Sequence, residues 1–178
     1  PHFLRPAPCR LIPVLLSVDF YFLHERSAMS TPTDFVLDIP NACTLDGLCT
    51  GGRPSPAHLQ KAAELGVKVV VNLCPPAESA GFDEAAVVAG LGMSYVNIPI
   101  AGAGDLTPAN VALLAAALAG YGDQHRALLH CASSNRVGAM LALKAKQIDG
   151  KSADEALAIG RAAGLTGLEP VVQQLLQA

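Results

Sequence analysis

The chain has 178 residues, of which 51% are apolar and only 4% aromatic, and its formal net charge is −3. The length suits one domain with a single hydrophobic core, and this apolar, alanine-rich composition excludes a disordered chain. Because no basic stripe is present, we expect no nucleic acid partner, and an anionic ligand would have to be attracted by a local cation.

The amino-terminal stretch is interpreted separately from the fold. Residues 1–28 precede the first methionine, Met29, and we interpret them as a mis-set start or a cloning-derived segment. Residues 29–178 are expected to form one domain. No stretch reaches the ~18 consecutive apolar residues that a membrane span requires, so no membrane association is expected.

The five cysteines form an odd set without a metal-binding C-x-x-C pair. We therefore expect free thiols in a reducing, cytoplasmic environment, with no metal and no cofactor. A disulfide between Cys43 and Cys49 is the alternative for an exported protein.

The first regular elements surround Asp46-Gly47, a dipeptide typical of a β-hairpin turn. Ser55 followed by Pro56 predicts a helix start, because a serine N-cap and a proline in the first turn are both favourable there. The β-branched run over residues 67–73 predicts a strand buried on both faces.

A short helix over residues 82–92 and a second central strand over 93–100 follow. Thr107 and Pro108 then predict another helix start, and residues 126–131 predict a third strand. The alternation of strands and helices indicates an α/β fold of three layers, with a mainly parallel central sheet of four to five strands flanked by helices.

The carboxyl-terminal part is predicted to be helical. One helix extends over residues 136–150, and two more are predicted from the capping boxes Ser152…Glu155 and Thr166…Glu169.

Three loops are placed at one edge of the predicted sheet, over residues 74–81, 101–107 and 131–135. In sheets of this type, ligands bind beyond the carboxyl ends of the strands. We therefore predict that these loops build the functional site.

The segment "HCASSNR" carries the clearest chemical signal. Cys131 ends a strand just before a helix, where unpaired N–H groups and the positive helix end favour a thiolate. Arg136 offers a planar fork that matches the oxygens of phosphate or a related oxyanion. Between them, small residues allow the main-chain N–H groups to turn inward as an anion nest. The predicted substrate-binding residues are Ala132, Ser133, Ser134 and Asn135.

His130 is not expected to act as a base. Its side chain points to the opposite side of the strand from Cys131, so we interpret it as a structural residue that hydrogen-bonds the loop. A simpler interpretation of the whole segment is a buried cysteine and a solvated arginine, Arg136, but the full string favours a functional site.

The stretch "HCASSNRVGAM" resembles the signature loop of cysteine-dependent protein tyrosine and dual-specificity phosphatases. With "GGRPSPAHLQKAAELGVKVVVNL", "YVNIPIAGAG" and "AIGRAAGL", the chain from about Thr44 to Leu176 looks like the bacterial phosphatase-like family found fused to beta-lactamase-like hydrolase domains. This resemblance implies a phosphatase-like fold, with Cys131 as nucleophile and Arg136 as oxyanion binder.

The signature departs from the phosphatase pattern in three places. Four residues, not five, separate Cys131 from Arg136, a spacing shared with rhodanese-like sulfurtransferases. Val137 stands where a serine or threonine is usual, and Ser134 stands where glycine is common. A shorter loop has fewer donors for three phosphoryl oxygens, whereas a persulfide needs less room.

Three functions therefore stay open. The first is a phosphatase that hydrolyses a phosphate monoester through a thiophosphoryl intermediate on Cys131. The second is a rhodanese-like sulfurtransferase that carries a persulfide on the same residue, and the third is a non-catalytic binder of an oxyanion or phosphopeptide. The expected partner is a small anionic substrate or a phosphorylated protein, and the oligomeric state is left open.

A phosphatase also requires a general acid for the leaving oxygen. Asp105 is the best placed, since its loop follows a strand and contains two glycines, although it could instead assist the cap of the next helix. Glu78 is the weaker candidate. Cys74, on the same rim, is a candidate redox partner of Cys131, with a buried structural cysteine as the alternative. Arg53 is interpreted as an ordinary surface arginine.

Overall fold

A computed structural model describes residues 37–45, 47–78, 80–119 and 126–177. The predictions for residues 1–28, for the start at Met29 and for Asp46 lie outside these described residues. The strands are β1 (Cys43–Leu45), β2 (Leu48–Gly51), β3 (Val67–Asn72), β4 (Ser94–Asn97) and β5 (Arg126–His130). The helices are α1 (Pro56–Glu64), α2 (Glu84–Gly90), α3 (Pro108–Ala117), α4 (Asn135–Gln147), α5 (Ala153–Ala162) and α6 (Glu169–Gln177).

The five strands form one sheet in the order β1-β2-β5-β3-β4. Only the β1–β2 hairpin is antiparallel, and the other three pairings are parallel. This confirms the predicted α/β fold with a mainly parallel sheet, and it makes β5 the central strand. The residue that follows β5 is Cys131, so the nucleophile candidate lies at the middle of the carboxyl edge.

The strand predicted over residues 93–100 is present as β4, but the prediction that it is central is wrong. Strand β4 lies at the edge of the sheet and covers only Ser94–Asn97, with side chains that are exposed or half-buried. The apolar residues beyond it, Ile98 and Ile100, are buried in the core, and their main-chain N–H groups donate to the carbonyls of Asn72 and Leu73. Their burial accounts for the strand-like pattern.

Two hydrophobic clusters cover the two faces of the sheet, as the alternation of side chains along a strand requires. Val71 and Leu129 pack on one face with residues of α3 to α6. Val70 and Leu128 pack on the other face with residues of α1 and α2. The three predicted layers are therefore present.

Most of the predicted helix starts are confirmed. Ser55, Thr107 and Ser152 each accept a hydrogen bond from the main-chain N–H three residues later. The capping box predicted from Thr166 and Glu169 is wrong, because α6 begins at Glu169 and the Glu169 carboxylate binds Arg161. None of the described helices is long and apolar enough to cross a membrane.

Helices α4 and α5 approach closely at two glycines. A Cβ on Gly138 would lie 2.5 Å from the carbonyl oxygen of Gly160 and would also strike the backbone of Leu165. Only glycine therefore allows this approach. The contact fixes the direction of α4, whose first turn carries Arg136.

Candidate active site

Cys131 is fully buried at the carboxyl end of the central strand. Its main-chain N–H donates to the carbonyl of Gly51, at 3.3 Å, on one neighbouring strand. On the other side, the carbonyl of His130 accepts from the N–H of Leu73, at 2.9 Å. Strand pairing on both sides therefore fixes the position of the thiol-bearing residue.

The loop after Cys131 runs close against residue 52. Ser133 forms an isolated β-bridge with Gly52, and a Cβ on Gly52 would lie 2.9 Å from the carbonyl oxygen of Ala132. Glycine at this position thus lets the loop lie directly against the end of β2.

Two side chains of the predicted substrate-binding loop are turned away from the anion position. Ser134 is buried, and its hydroxyl donates to the carbonyl of Ala163 at 2.8 Å. The side-chain oxygen of Asn135 accepts from the N–H groups of Thr166 and Leu168. These two residues therefore anchor the loop to the α5–α6 connection, which leaves main-chain groups as their means of binding an anion.

Ser134 also adopts a left-handed backbone conformation, with φ of 70°. Such a conformation favours glycine, which agrees with the observation that glycine is common at this position of the signature. The turn at Ser134 allows α4 to begin at Asn135 with its amino-terminal end directed toward the loop.

Arg136 is held in a fixed orientation by Glu78 of the predicted 74–81 loop and by Ile100, which directly precedes the predicted 101–107 loop. Its Nη1 and Nη2 donate to Oε1 and Oε2 of Glu78 at 2.8 and 2.7 Å, and Nη1 also donates to the carbonyl of Ile100 at 2.8 Å. The 74–81 loop and the residue that precedes the 101–107 loop therefore meet at this side chain, directly after the 131–135 loop, and the Nε edge of the fork has no partner among the described residues.

Glu78, the weaker candidate for the general acid, does not have the properties of a proton donor. The Arg136 guanidinium beside it holds the pKa of the Glu78 carboxyl below its usual value, so the group stays ionised. The structure therefore gives it another part: it orients Arg136. The same hydrogen bonds raise the pKa of Arg136 and keep it charged.

Arg53 is not an ordinary surface arginine. Its Nη2 donates to the carbonyl of Glu78 at 2.9 Å and lies 3.6 Å from Oε2 of the same residue. The thiol of Cys74 lies 3.8 Å from Arg53 and 3.7 Å from Arg136. Arg53, two residues after β2, thus ties the 74–81 loop to the end of that strand.

Cys74 is buried beside these two cations. Burial, the larger effect, raises the pKa of its thiol, while the hydrogen bond from Arg53 lowers it. Burial and a raised pKa are typical of a structural cysteine. The disulfide with Cys131 stays a prediction. Cys43 and Cys49 are both free, so the alternative disulfide between them is not formed.

Asp105 closes a short 3-10 turn, Ala103–Asp105, within the 101–107 loop. Its Oδ2 accepts from the N–H groups of Ala101 and Gly102, at 2.7 and 3.3 Å. Ala101 directly follows Ile100, whose carbonyl binds Arg136, so this turn is attached to the site. The cap of α3 is formed by Thr107 and not by the Asp105 carboxylate.

His130 is a structural residue, but its partner was not predicted. Its Nε2 lies 2.6 Å from Oε1 of Glu84 on the face of the sheet opposite the thiol, so it does not hydrogen-bond the loop. The sequence does not single out Glu84 or its hydrogen-bond partner Asn72, because an acidic first-turn residue and a strand-end asparagine are both common. The one available signal was a polar Asn72 after three consecutive valines.

No group of three or more potential metal-ligating side chains occurs within the part of the chain that the structure describes. Val137, which stands where a hydroxyl is usual, is fully buried in the core. The site therefore consists of a thiol, a fixed guanidinium and a helix-terminal loop.

Residues 45–148 match the family model described as beta-lactamase hydrolase-like protein, phosphatase-like domain. A candidate phosphatase (DUF442) from Shewanella putrefaciens CN-32 is 25% identical, with a TM-score of 0.59 over 78% of this chain and 88% of that one. No curated protein matches the sequence.

Two further solved structures share the fold at lower identity. Tk-PTP in its active form is 20% identical, with a TM-score of 0.60 over 78% of this chain and 97% of that one. A cysteine-to-serine variant of P. aeruginosa TpbA in complex with phosphotyrosine is 18% identical, with a TM-score of 0.59 over 84% of this chain and 89% of that one.

Proposed function

Since the chain belongs to the family of phosphatase-like domains of beta-lactamase hydrolase-like proteins, we propose that it is a cysteine-dependent phosphatase acting on a phosphate monoester. The observation that carries the proposal is the fixed Arg136. Glu78 and Ile100 hold two edges of its guanidinium, and the remaining Nε edge is free to bind an anion next to the Cys131 loop.

In the proposed first step, the thiolate of Cys131 attacks phosphorus, and an S–P bond forms as the bond to the leaving oxygen breaks. Arg136 and the main-chain N–H groups of residues 132–135 stabilise the charge on the equatorial oxygens. Asp105 gives a proton to the leaving oxygen, for which its carboxyl must be protonated and must turn from the amides of its own loop.

In the second step, water attacks phosphorus and the S–P bond breaks, which returns the thiolate and releases inorganic phosphate. Asp105, now ionised, accepts the proton of the water. The phosphotyrosine bound by the P. aeruginosa neighbour supports a phosphorylated protein as a substrate class, beside small phosphate esters.

Sulfur transfer is the second candidate, and the four-residue spacing between Cys131 and Arg136 favours it. In that reaction Cys131 would accept sulfane sulfur from thiosulfate or a persulfide and pass it to a thiol or cyanide. The shorter loop has one main-chain donor fewer for an oxyanion, but it provides enough room for a single outer sulfur.

A paired assay on one preparation tests the proposal. We expect hydrolysis of p-nitrophenyl phosphate that is lost in Cys131→Ser, and no Cys131-dependent transfer of sulfur from thiosulfate to cyanide. The opposite pattern would support the sulfurtransferase. Phosphate binding without either reaction would indicate a non-catalytic oxyanion binder.

A further inference from the structure

A buried acid–imidazole pair lies directly behind the nucleophile candidate. The side chains of His130 and Glu84 are 0% and 6% exposed, and Nε2 and Oε1 are 2.6 Å apart. Nδ1 of His130 has no hydrogen-bond partner among the described residues. Since an unpaired buried N–H is costly, we place a ring proton on Nε2, where it is donated to Oε1 of Glu84.

Glu84 is connected on its other side to the neighbouring strand. Its Oε2 accepts from Nδ2 of Asn72 at 2.9 Å, and the same Nδ2 lies 3.0 Å from the hydroxyl of Tyr95. The Oδ1 of Asn72 accepts from the main-chain N–H of Cys74 at 2.7 Å. Both oxygens of the buried carboxylate are therefore used, as the burial of a charged group requires.

These bonds join two parts of the site that are separate in sequence. On one side, His130 is the residue immediately before Cys131. On the other side, Cys74 begins the loop that carries Glu78, the carboxylate that orients Arg136. A displacement at Glu84 would thus reach both the nucleophile and its cation.

We propose that Glu84 is a positioning residue, whose carboxylate fixes the Cys131 strand end and the Glu78 loop relative to each other. This inference rests on the proposed function for its effect on turnover. Its effect on the position and reactivity of Cys131 does not depend on which reaction the protein catalyses.

The same three side chains, Asn72, Glu84 and Tyr95, line a cleft of about 220 Å³ that is open to solvent. A small carboxylate from solution can therefore reach the space left by a shortened side chain at position 84. This gives the proposal a chemical test that a loss of packing alone would not satisfy.

The first experiment compares Glu84→Gln with Asp83→Asn. The glutamine side chain would keep the volume but has only one oxygen for the two bonds that Glu84 accepts. Asp83 is the adjacent acid in the same cleft, and its role is to cap α2, which asparagine also does. We expect Glu84→Gln to lower kcat/KM for p-nitrophenyl phosphate by about 10- to 100-fold, and Asp83→Asn to leave it unchanged.

The rate of Cys131 alkylation by iodoacetamide at one fixed pH is measured in parallel. We expect it to fall in Glu84→Gln, because the strand end that carries Cys131 and the loop that orients Arg136 are no longer held relative to each other. If the parent protein lacked phosphatase activity, the proposed function would fail, while the alkylation rates would still test the positioning role.

The second experiment tests the connection itself. We expect the losses of Glu84→Gln and Asn72→Ala to be non-additive in the double variant, since both act through one network. In Glu84→Ala, sodium acetate should restore part of both kcat and the alkylation rate.

Three results would overturn the proposal. The first is a folded Glu84→Gln variant whose kcat/KM and alkylation rate equal those of the parent. The second is additive losses in the double variant. The third is acetate that raises the melting temperature of Glu84→Ala without raising either rate. If Glu84→Gln did not fold, Tyr95→Phe, which removes one hydroxyl at the edge of the network, should lower the alkylation rate, and an unchanged rate would count against the proposal.

Discussion

Glu78 and Arg136 form a two-bond ion pair, with Nη1–Oε1 and Nη2–Oε2 distances of 2.8 and 2.7 Å, although they are far apart in sequence. The Arg136 side chain is 13% exposed and that of Glu78 37%. Paired forks of this kind fix geometry as well as charge. The orientation of the anion-binding group is therefore set by a loop outside the signature segment.

The ion pair should make stability depend on pH. The pKa of Glu78 is held below that of an unfolded glutamate, which is about 4.3. The pair therefore stabilises the fold fully above that pH, and its contribution is lost as the pH falls through the lower pKa of the folded state. The parent should have a higher urea midpoint than Glu78→Gln at neutral pH, and the two should converge in acid.

The matched control for this measurement is Glu64→Gln, which removes an exposed pair with Lys61 and should change the midpoint little. A difference between the parent and Glu78→Gln that stayed constant into strong acid would contradict the account.

Asp105→Asn should slow turnover most for substrates with poor leaving groups. Asparagine keeps an oxygen to accept from the amides of Ala101 and Gly102, so the turn should persist, but it has no proton to give. For phenyl phosphate we expect kcat to fall by about 100-fold or more, and for p-nitrophenyl phosphate by much less. Asp154→Asn, an exposed acid on α5, is the control. Unaltered turnover of phenyl phosphate would remove Asp105 from the mechanism.

Ser134 combines a left-handed backbone with a buried hydrogen bond to Ala163. Ser134→Ala loses the bond and keeps the strain, so it should destabilise the fold by about 1–2 kcal/mol. Ser134→Gly loses the same bond but relieves the strain, and should cost about 1 kcal/mol less than alanine. Urea unfolding of both variants tests this order, and an alanine variant as stable as the glycine variant would contradict it.

Gly138→Ala tests the α4–α5 contact that directs Arg136. The added methyl group would meet the backbone of Gly160 and Leu165, which cannot move aside easily, so we expect a loss of about 1–3 kcal/mol or more. In Gly90→Ala the methyl group enters open space, and a gain of up to about 1 kcal/mol is expected. Equal urea midpoints for the two variants would show that the close approach does not constrain α4.

Much of the fold was predictable because the signals were local. Ser55, Thr107 and Ser152 are caps whose bonds are made within one helical turn, and the β-branched run of β3 needs no partner to be recognised. The edge position of β4 was not predictable, because it depends on which strands pair. Its apolar continuation, Ile98 and Ile100, is buried and hydrogen-bonds Asn72 and Leu73, so the sequence pattern extends beyond the last residue of the strand.

In the candidate site, the sequence predicted which loops meet but not which side chains bind each other. Cys131 and Arg136 lie within one segment, so their relation follows from spacing. The partner of Arg136, Glu78, comes from a distant loop, and the partner of His130, Glu84, from the start of α2, and no spacing rule connects them. Ser134 and Asn135 were assigned to the ligand through their main-chain N–H groups, and the sequence did not predict that tertiary packing directs both side chains to the α5–α6 connection.

The most direct test of a cysteine-dependent phosphatase is mass spectrometry of the peptide containing Cys131 after rapid acid quenching during turnover of p-nitrophenyl phosphate. We expect a phosphoryl group on Cys131 that is absent in Cys131→Ser and accumulates when Asp105→Asn slows hydrolysis of the intermediate. Steady release of phosphate with an unmodified Cys131 in every sample, including Asp105→Asn, would contradict it.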